Sequence, residues 1–356
     1  MNWLIDAEQT SLRGDGKTDN TGRLGELLGN LSADGGGELI LPRGTYVIHG
    51  TVEVPPDVTL RINRPATLQC MTDCDVLRVH SGAWVTGGGQ IRNMAFAEGS
   101  TNAHLLYRGE GRFGADPRDR INGAEQISLV GPYHGGVGVK LLCDGPGQII
   151  HQLRFNNINF LRGLTAVSVE CNAPGATGDA LSWIHSIAVT NSSIQWYHTA
   201  LRCDQSPRKG EDGTLANSVA DITMDNVMIQ CMADHHPSWP LVDIWGRECQ
   251  LNLYVWDGPK GDWPLWKLHP AGYDHVIETN FGPHRHTGNY SCRVDLHGSH
   301  RAAVRSYGQM AKINPVPHGG AHFACPDGPD GPCLLISDGE TWRRIDCPQC
   351  ERKNDG

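Results

Sequence analysis

The sequence predicts an all-β chain wound as a parallel β-helix, and three observations carry that prediction. Short β-rich runs follow one another from residue 38, each bounded by Gly, Pro or Asp, with no alternation of strands and helices. One segment repeats, because residues 153–160, 187–194 and 222–229 align with one another. Within the repeats apolar residues alternate with polar ones, which is typical of strands that bury one face.

The spacing of the repeat narrows the architecture. The aligned segments share an asparagine at one turn, and these residues, Asn157, Asn191 and Asn226, lie 34 and 35 residues apart. A period of this length indicates a solenoid, a propeller or an array, and a propeller blade needs about four strands in ~40 residues. Two or three short strands per repeat suit a β-helix instead. We expect the asparagine side chains to bond one another from coil to coil, an ordinary polar turn being the alternative.

The amino-acid composition is that of a folded chain with many turns and a negative net charge. Hydrophobic residues make up 39% of the chain and charged residues 19%, which excludes disorder over most of its length, and 44 glycines with 21 prolines indicate many turns. The 30 basic and 39 acidic side chains give a net charge of −9, which disfavours binding to nucleic acid in bulk. No apolar run approaches the ~18 residues of a membrane span, and no secretory signal is visible at the start of the chain.

Three regions are predicted. Residues 1–36 form a cap segment, residues 37–258 the parallel β-helix, and residues 259–356 a β-rich extension of the helix with a tail rich in Cys and His. The cap segment contains one short helical pattern, formed by Leu24, Leu27, Leu28 and Leu31.

Cysteines occur twelve times. Cys143, Cys171 and Cys203 each end a β-like run, and we favour buried free thiols over bridges for them. In the tail, Cys325, Cys333, Cys347 and Cys350 contain a single C-x2-C pair, for which zinc, a disulfide and free thiols all stay open.

The N-terminal region carries a family resemblance. Residues 14–21, the leucine helix and residues 36–46 together resemble the start of pectate-lyase-superfamily β-helices, a group of polysaccharide lyases, glycoside hydrolases and phage tailspike depolymerases. The resemblance implies a single-stranded right-handed parallel β-helix with an N-terminal capping helix, a carbohydrate substrate, and an extracellular or virion-associated location. Residues 335–344 are similar to a short segment of phage tail and related β-helix proteins.

Period-two alternation predicts which side chains leave the core. If Val139, Val167 and Leu201 point inward, their neighbours point outward and stack in rows ~4.8 Å apart. The first row is Lys140, Ser168, Arg202 and Asp243, and the second is Leu142, Glu170, Asp204 and Trp245. Such a face suits an acidic polysaccharide, because Arg and Lys pair with uronate carboxylates and Trp stacks on sugar rings. A solvated face with incidental ion pairs is the alternative.

The candidate site residues follow from these rows and from the loops beside them. Glu170 and Asp204 could share a proton or hold Ca²⁺, and His residues near neutrality carry protons. The candidate catalytic residues are Lys140, Glu170, His198, Arg202 and Asp204. The candidate substrate-binding residues are Tyr197, His235, His236, Trp239, Asp243 and Trp245.

The reaction is predicted from what the site offers. Polygalacturonase-type hydrolases of the resembled group carry an Asp pair after a strand similar to residues 194–196, whereas the matching stretch here has no carboxylate. Lys, Arg, His and Tyr are the groups that β-elimination needs, so a lyase acting on an acidic glycan is favoured over a glycoside hydrolase. A non-enzymatic glycan-binding tail protein is the third hypothesis, and a monomer or a homotrimer is expected.

Overall fold

The computed structural model describes residues 3–110, 122–176, 180–205, 217–230, 239–246 and 249–256, together with six further strands. The N-terminal elements are β1 (Trp3–Asp6), a 3₁₀ turn (Ala7–Gln9), β2 (Asp15–Asp19), α1 (Thr21–Ala33), β3 (Gly37–Leu41), β4 (Thr45–Ile48), β5 (Val52–Val54), β6 (Val58–Ile62), β7 (Thr67–Cys70), β8 (Leu77–Val79), β9 (Trp84–Thr86) and β10 (Gln90–Asn93).

The central elements are β11 (Ala103–Arg108), β12 (Asn122–Val130), β13 (Val137–Cys143), β14 (Ile149–His151), β15 (Leu153–Cys171), β16 (Ser182–Thr190), β17 (Ser193–Gln205), β18 (Asn217–Gln230), β19 (Val242–Ile244) and β20 (Gln250–Trp256). The six further strands are β21 (Pro264–Leu268), β22 (Val276–Thr279), β23 (Arg293–Leu296), β24 (His322–Cys325), β25 (Cys333–Ser337) and β26 (Trp342–Ile345). No helix in the described part of the chain has the length and apolar character to cross a membrane.

The strands stack as a parallel β-helix. Twenty-three of them belong to one hydrogen-bonded system in which every strand pairing is parallel, and each strand pairs with its counterpart in the next coil. Long strands such as β15 and β17 turn a corner of the coil and therefore pair on two faces. The all-β prediction is confirmed.

Parallel pairing continues at both ends of the coil, into the predicted cap segment and into the predicted C-terminal extension. Strands β1 and β2, within the predicted cap segment, pair in parallel with β3 and β4, and β21 and β23 continue the stack beyond β19. Strands β24, β25 and β26 form a separate antiparallel sheet. In that sheet Cys325 lies opposite Cys333, while Cys347 and Cys350 lie outside the described residues.

The core is filled by the inward side of the alternation. Val139, Val167 and Leu201 are fully buried and lie in register on successive coils, as predicted. The four leucines of α1 are buried, and the helix packs against β3, β5 and β6. The six cysteines whose side chains are described are free thiols, and the three that end β-like runs are buried, which confirms the prediction for them.

Asparagines with left-handed backbone form one corner of the coil. Asn157, Asn191 and Asn226 have φ values of 56°, 50° and 53°, a conformation that Asn tolerates better than most residues. The Asn226 amide donates to Asn191 Oδ1 at 2.9 Å, as predicted. The Asn191 amide donates to Asn156 Oδ1 at 3.0 Å. On that coil the acceptor is therefore the residue before the predicted Asn157.

The corner predicts a difference between two substitutions of Asn191. Both Asn191→Gly and Asn191→Ala remove two side-chain hydrogen bonds, each worth about 1 kcal/mol. Alanine also strains the left-handed backbone, so Asn191→Ala should be less stable than Asn191→Gly by about 1 kcal/mol. Urea unfolding followed by circular dichroism measures both, and equal midpoints would contradict a conformational role for this corner.

A charge placed among the inward side chains should lower the free energy of unfolding much more. Val169 is fully buried on β15, so Val169→Asp places an unpaired charge in the core and should unfold the coil or force the carboxyl to stay protonated. Arg202→Ala, on an outward position, should change the free energy of unfolding by less than about 0.5 kcal/mol. Thermal melting of the two variants side by side distinguishes inward from outward positions.

Candidate functional site

Two predicted rows are present on one sheet of the coil. Lys140 lies beside Ser168, Ser168 beside Arg202, and Arg202 beside Asp243. In the second row Leu142, Glu170 and Asp204 are neighbours on the same three strands. Trp245 continues this row, because its backbone N–H donates to the Cys203 carbonyl at 2.9 Å, just after β19.

The centre of the face is an ion pair that is largely shielded from water. Lys140 Nζ lies 3.3 Å from Glu170 Oε2, and the two side chains are only 14% and 19% exposed. The Ser168 hydroxyl, itself buried, donates to Glu170 Oε1 at 2.8 Å. Glu170 therefore receives one hydrogen bond and one ion-pair contact on different oxygens, which fixes its orientation.

A second ion pair lies beside the first on the next coil and is open to solvent. Arg202 Nη2 lies 3.2 Å from Asp204 Oδ2, with 49% of the arginine side chain and 35% of the aspartate exposed. A single contact at this exposure contributes little to stability. The guanidinium consequently keeps donors available for a ligand carboxylate.

Glu170 and Arg202, one partner of each ion pair, form part of the floor of a cleft of ≈ 310 Å³. Ser168, Glu170, Arg202 and Asp243 contribute polar groups to it. The surrounding residues are Gly99, Ser100, Thr101, Val137, Leu164, Thr165, Thr199, Trp239 and Pro240. This volume lies at the lower end of the ~300–1,000 Å³ typical of small-molecule sites.

One wall of the cleft is held by an aspartate from an earlier coil. Asp73 Oδ1 accepts from the Ser100 hydroxyl at 2.6 Å and from the Asn102 amide at 2.9 Å. On the other side of the wall, the Gly136 N–H donates to the Ser100 carbonyl at 2.8 Å. The 99–101 segment is thereby tied to two neighbouring loops.

Asp75 is a titratable residue near the charged rows that the sequence analysis missed. Its Oδ1 accepts from the Ala103 N–H at 2.7 Å, and burial raises the pKa of this carboxyl above 3.8, with the charge of Glu170 adding to the rise and that of Lys140 opposing it. The signal was present, because residues 75–79 repeat the pattern of residues 165–169. Ser168, predicted only as a member of the first row, proves to be the donor that orients Glu170.

The prediction for Tyr197 is wrong. Its side chain is 1% exposed, its ring packs edge-on against Phe160, and burial raises the pKa of its hydroxyl. The residue has the same parity as the inward Leu201, so the alternation that defines the rows directs it into the core. Tyr197 therefore cannot contact a substrate.

Of the other residues predicted to contact the substrate or act in catalysis, some lie at the cleft and some lie outside the described residues. His198, next to Tyr197 but on the outward side, has its ring 4.8 Å from the ring of Trp239, which lines the cleft. Asp243 also lines the cleft. His235 and His236 lie outside the described residues.

The acidic side chains bind cations supplied by the chain itself. Glu170 pairs with Lys140, and Asp204 pairs with Arg202. Within the described part of the chain, no three His, Cys, Asp or Glu side chains converge in a way that could hold a metal ion. Glu170 and Asp204, the two carboxylates that the sequence suggested for Ca²⁺, each face a basic side chain of the protein instead.

No protein-family model matches the chain, and no protein of curated function matches its sequence. Solved structures do resemble it. A hyperthermoactive exopolygalacturonase from Thermotoga maritima has 11% identity over 85% of this chain and 79% of its own, with a TM-score of 0.40. The ORF18 protein of Geobacillus virus E2 has 12% identity over 96% and 75%, with a TM-score of 0.46. A tailspike protein mutant of E. coli bacteriophage HK620, in complex with a pentasaccharide, has 10% identity over 83% and 66%, with a TM-score of 0.42.

Two of these neighbours, an exopolygalacturonase and a phage tailspike protein, are of the kinds that the resemblance in the sequence names. At such low identity the likeness concerns the fold alone.

The shielded ion pair predicts that single substitutions also affect stability. Replacing one partner leaves the other charge unpaired, so Glu170→Gln or Lys140→Met should each lower the free energy of unfolding, by about 3 kcal/mol if the charge stays buried. The double variant should recover much of that loss. A double-mutant cycle by urea unfolding measures the coupling, and strictly additive losses would show that the pair is not coupled.

The raised pKa of Asp75 predicts that the Asp75→Asn variant is more stable than the wild type at neutral pH but not in acid. Because its folded pKa is raised, the wild-type protein loses stability relative to a neutral side chain as the pH rises from the unfolded value of 3.8 through the folded pKa. Asp75→Asn keeps an acceptor for the Ala103 N–H and removes the charge. Its melting temperature should equal that of the wild type in acid and exceed it at neutral pH. Asp34→Asn, at an exposed carboxylate, is the matched control.

Proposed function

We propose that the protein is a polysaccharide-active β-helix enzyme that cleaves an acidic, uronate-containing glycan by β-elimination. The observation that carries the proposal is the oriented Glu170 carboxylate in a cleft with the half-exposed Arg202 one coil away. A uronate needs a cation for its carboxylate and a base for its C5 proton, and these two side chains supply them.

In the proposed reaction Arg202 binds the uronate carboxylate and stabilises the charge that develops on it. Glu170 takes the proton from C5, the bond between C4 and the leaving oxygen breaks, and a C4–C5 double bond forms. The leaving oxygen then takes the proton from Glu170, which restores the carboxylate and balances the reaction. Lys140, whose Nζ lies 3.3 Å from Glu170 Oε2, holds that carboxylate in position.

The remaining predicted residues have supporting roles in the proposal. Asp204 orients Arg202, and Asp243 and Trp245 border the sugar on the following coil. Trp239, with its ring against His198, forms the side of the cleft on which a sugar ring can pack.

The proposal includes finer points of architecture. The coil is right-handed, in keeping with the strong preference of parallel crossover connections, and α1 caps its N-terminal end. The protein acts outside the cell or on a virion, as a monomer or a homotrimer, and solution mass measured by light scattering separates these two states.

Glycoside hydrolysis is the second candidate, and Asp75 favours it. A hydrolase needs one carboxyl that keeps its proton and one that is ionised. Asp75 has a raised pKa and lies close enough to Glu170 and Lys140 to feel both charges, while Glu170 is oriented by Lys140 and Ser168. In that reaction Asp75 protonates the leaving oxygen, Glu170 takes a proton from a water molecule, and the oxygen of that water forms the new bond to the anomeric carbon.

A substrate screen tests the proposal. The protein is incubated with polygalacturonate, alginate, hyaluronan, chondroitin and bacterial exopolysaccharides, and both the ultraviolet absorbance of the unsaturated uronate and the formation of reducing ends are followed. Elimination gives both signals. Reducing ends without the absorbance would replace the lyase with the hydrolase, and binding without either signal would favour a non-enzymatic tail protein.

Arg202 gives the sharpest single variant. Because its side chain is half exposed, Arg202→Ala should leave the melting temperature unchanged while turnover falls by about 10²–10³-fold, the loss expected for one charge-stabilising donor. Arg202→Lys keeps the charge without the paired donors and should recover only part of the rate. Full activity of Arg202→Ala would show that the uronate binds elsewhere.

A further inference from the structure

Exposed aromatic side chains are concentrated near the cleft. Six large apolar side chains in the described part of the chain are markedly exposed, and two of these are aromatic, Tyr133 at 45% and Trp239 at 37%. Trp239 lines the cleft, and Tyr133 lies on the loop that precedes β13. Burying an aromatic ring is favourable, so an exposed one near a cleft indicates contact with a ligand.

Tyr133 belongs to a small ordered cluster. The Arg162 guanidinium carbon lies 5.4 Å from the centre of the Tyr133 ring, and the Trp196 ring centre lies 6.5 Å from it. Arg162 and Trp196 occupy equivalent positions on successive coils. The residues before them, Leu161 and Gln195, are paired, and so are the residues after them, Gly163 and Tyr197. Their φ values of 65° and 58° mark a corner of the coil, and both side chains are partly exposed there.

The cluster borders the cleft. The Gly131 N–H donates to the Leu161 carbonyl at 3.0 Å, and the Leu164 N–H donates to the Gly136 carbonyl at 2.9 Å, so the loop of Tyr133 lies along the corner strand. Leu164 itself lines the cleft. On the next coil Trp196 and His198 flank the inward Tyr197, and His198 touches Trp239. Aromatic rings thus extend from the cleft to the corner.

We propose that Tyr133, Arg162 and Trp196 form a subsite for sugars that lie beyond the reacting residue on the same polysaccharide chain. Sugar rings present C–H faces that pack on aromatic rings, and the Arg162 guanidinium supplies donors for their hydroxyl or carboxylate oxygens. The cation above the Tyr133 ring holds that ring in place before the glycan binds.

The subsite lengthens the surface on which the glycan binds. The cleft is small, so a chain that also reaches the cluster at the corner must extend beyond the cleft. The protein therefore favours polymers and long oligosaccharides over single sugars. The position of the reacting sugar rests on the proposed function, whereas the binding does not.

Binding is tested without any reaction. Wild-type protein is run in native gels that contain polygalacturonate, alginate, hyaluronan or chondroitin, and retardation measures affinity for each polymer. With the polymer that retards it most, Tyr133→Ala should weaken binding by about tenfold, which corresponds to about 1.4 kcal/mol. Tyr133→Phe keeps the ring and should bind like the wild type. Leu181→Ala, at another exposed apolar position, is the matched control and should not differ from the wild type.

The outcomes separate the subsite from the reaction. Retardation that is lost in Tyr133→Ala and kept in Tyr133→Phe supports the subsite even if no polymer is cleaved. Unchanged retardation of Tyr133→Ala, or no retardation of the wild type in any of the four gels, overturns the subsite even if cleavage is observed.

Discussion

The whole molecule depends on the in-register parallel pairing of one coil with the next. Because the strands pair residue for residue at ~4.8 Å, a side chain that points inward lies over another that points inward, and the same holds for the outer face. Hydrophobic burial fixes this register strongly, since a slip of one residue would move the whole apolar set into water. The outer rows of charged residues are therefore positioned by the packing of the inner ones.

Much of this arrangement is readable from the sequence, and the repeat is the reason. Once one asparagine turn is aligned over three coils, the register of the rows on the neighbouring strands follows, and the structure has them there. The same parity excluded Tyr197 from the surface, so that error came from ignoring the alternation and not from a lack of signal. Asp75 was also within reach, since residues 75–79, which end in β8, repeat the pattern of residues 165–169.

The walls of the site could not be found in this way. The 99–101 segment belongs to a different coil from the floor, and it has no counterpart in the aligned repeats. Its place depends on side-chain hydrogen bonds to Asp73, which is distant in sequence from the charged rows. Whether a charged row is shielded or open to water is decided by such loops. Lys140 and Glu170 are shielded and Arg202 is not, although all three occupy outward positions in the same predicted rows.

The paired column of Leu77, Leu105, Val139, Val167, Leu201 and Val242 shows how freely the coil length varies. The steps along it are 28, 34, 28, 34 and 41 residues, as the differences between these numbers give, yet the column stays in register. The number of residues between paired strands thus varies without shifting the register of the next strand. Segments between the strands can therefore change in length while the charged rows keep their spacing, so the shape of the cleft and the position of its charges can vary independently.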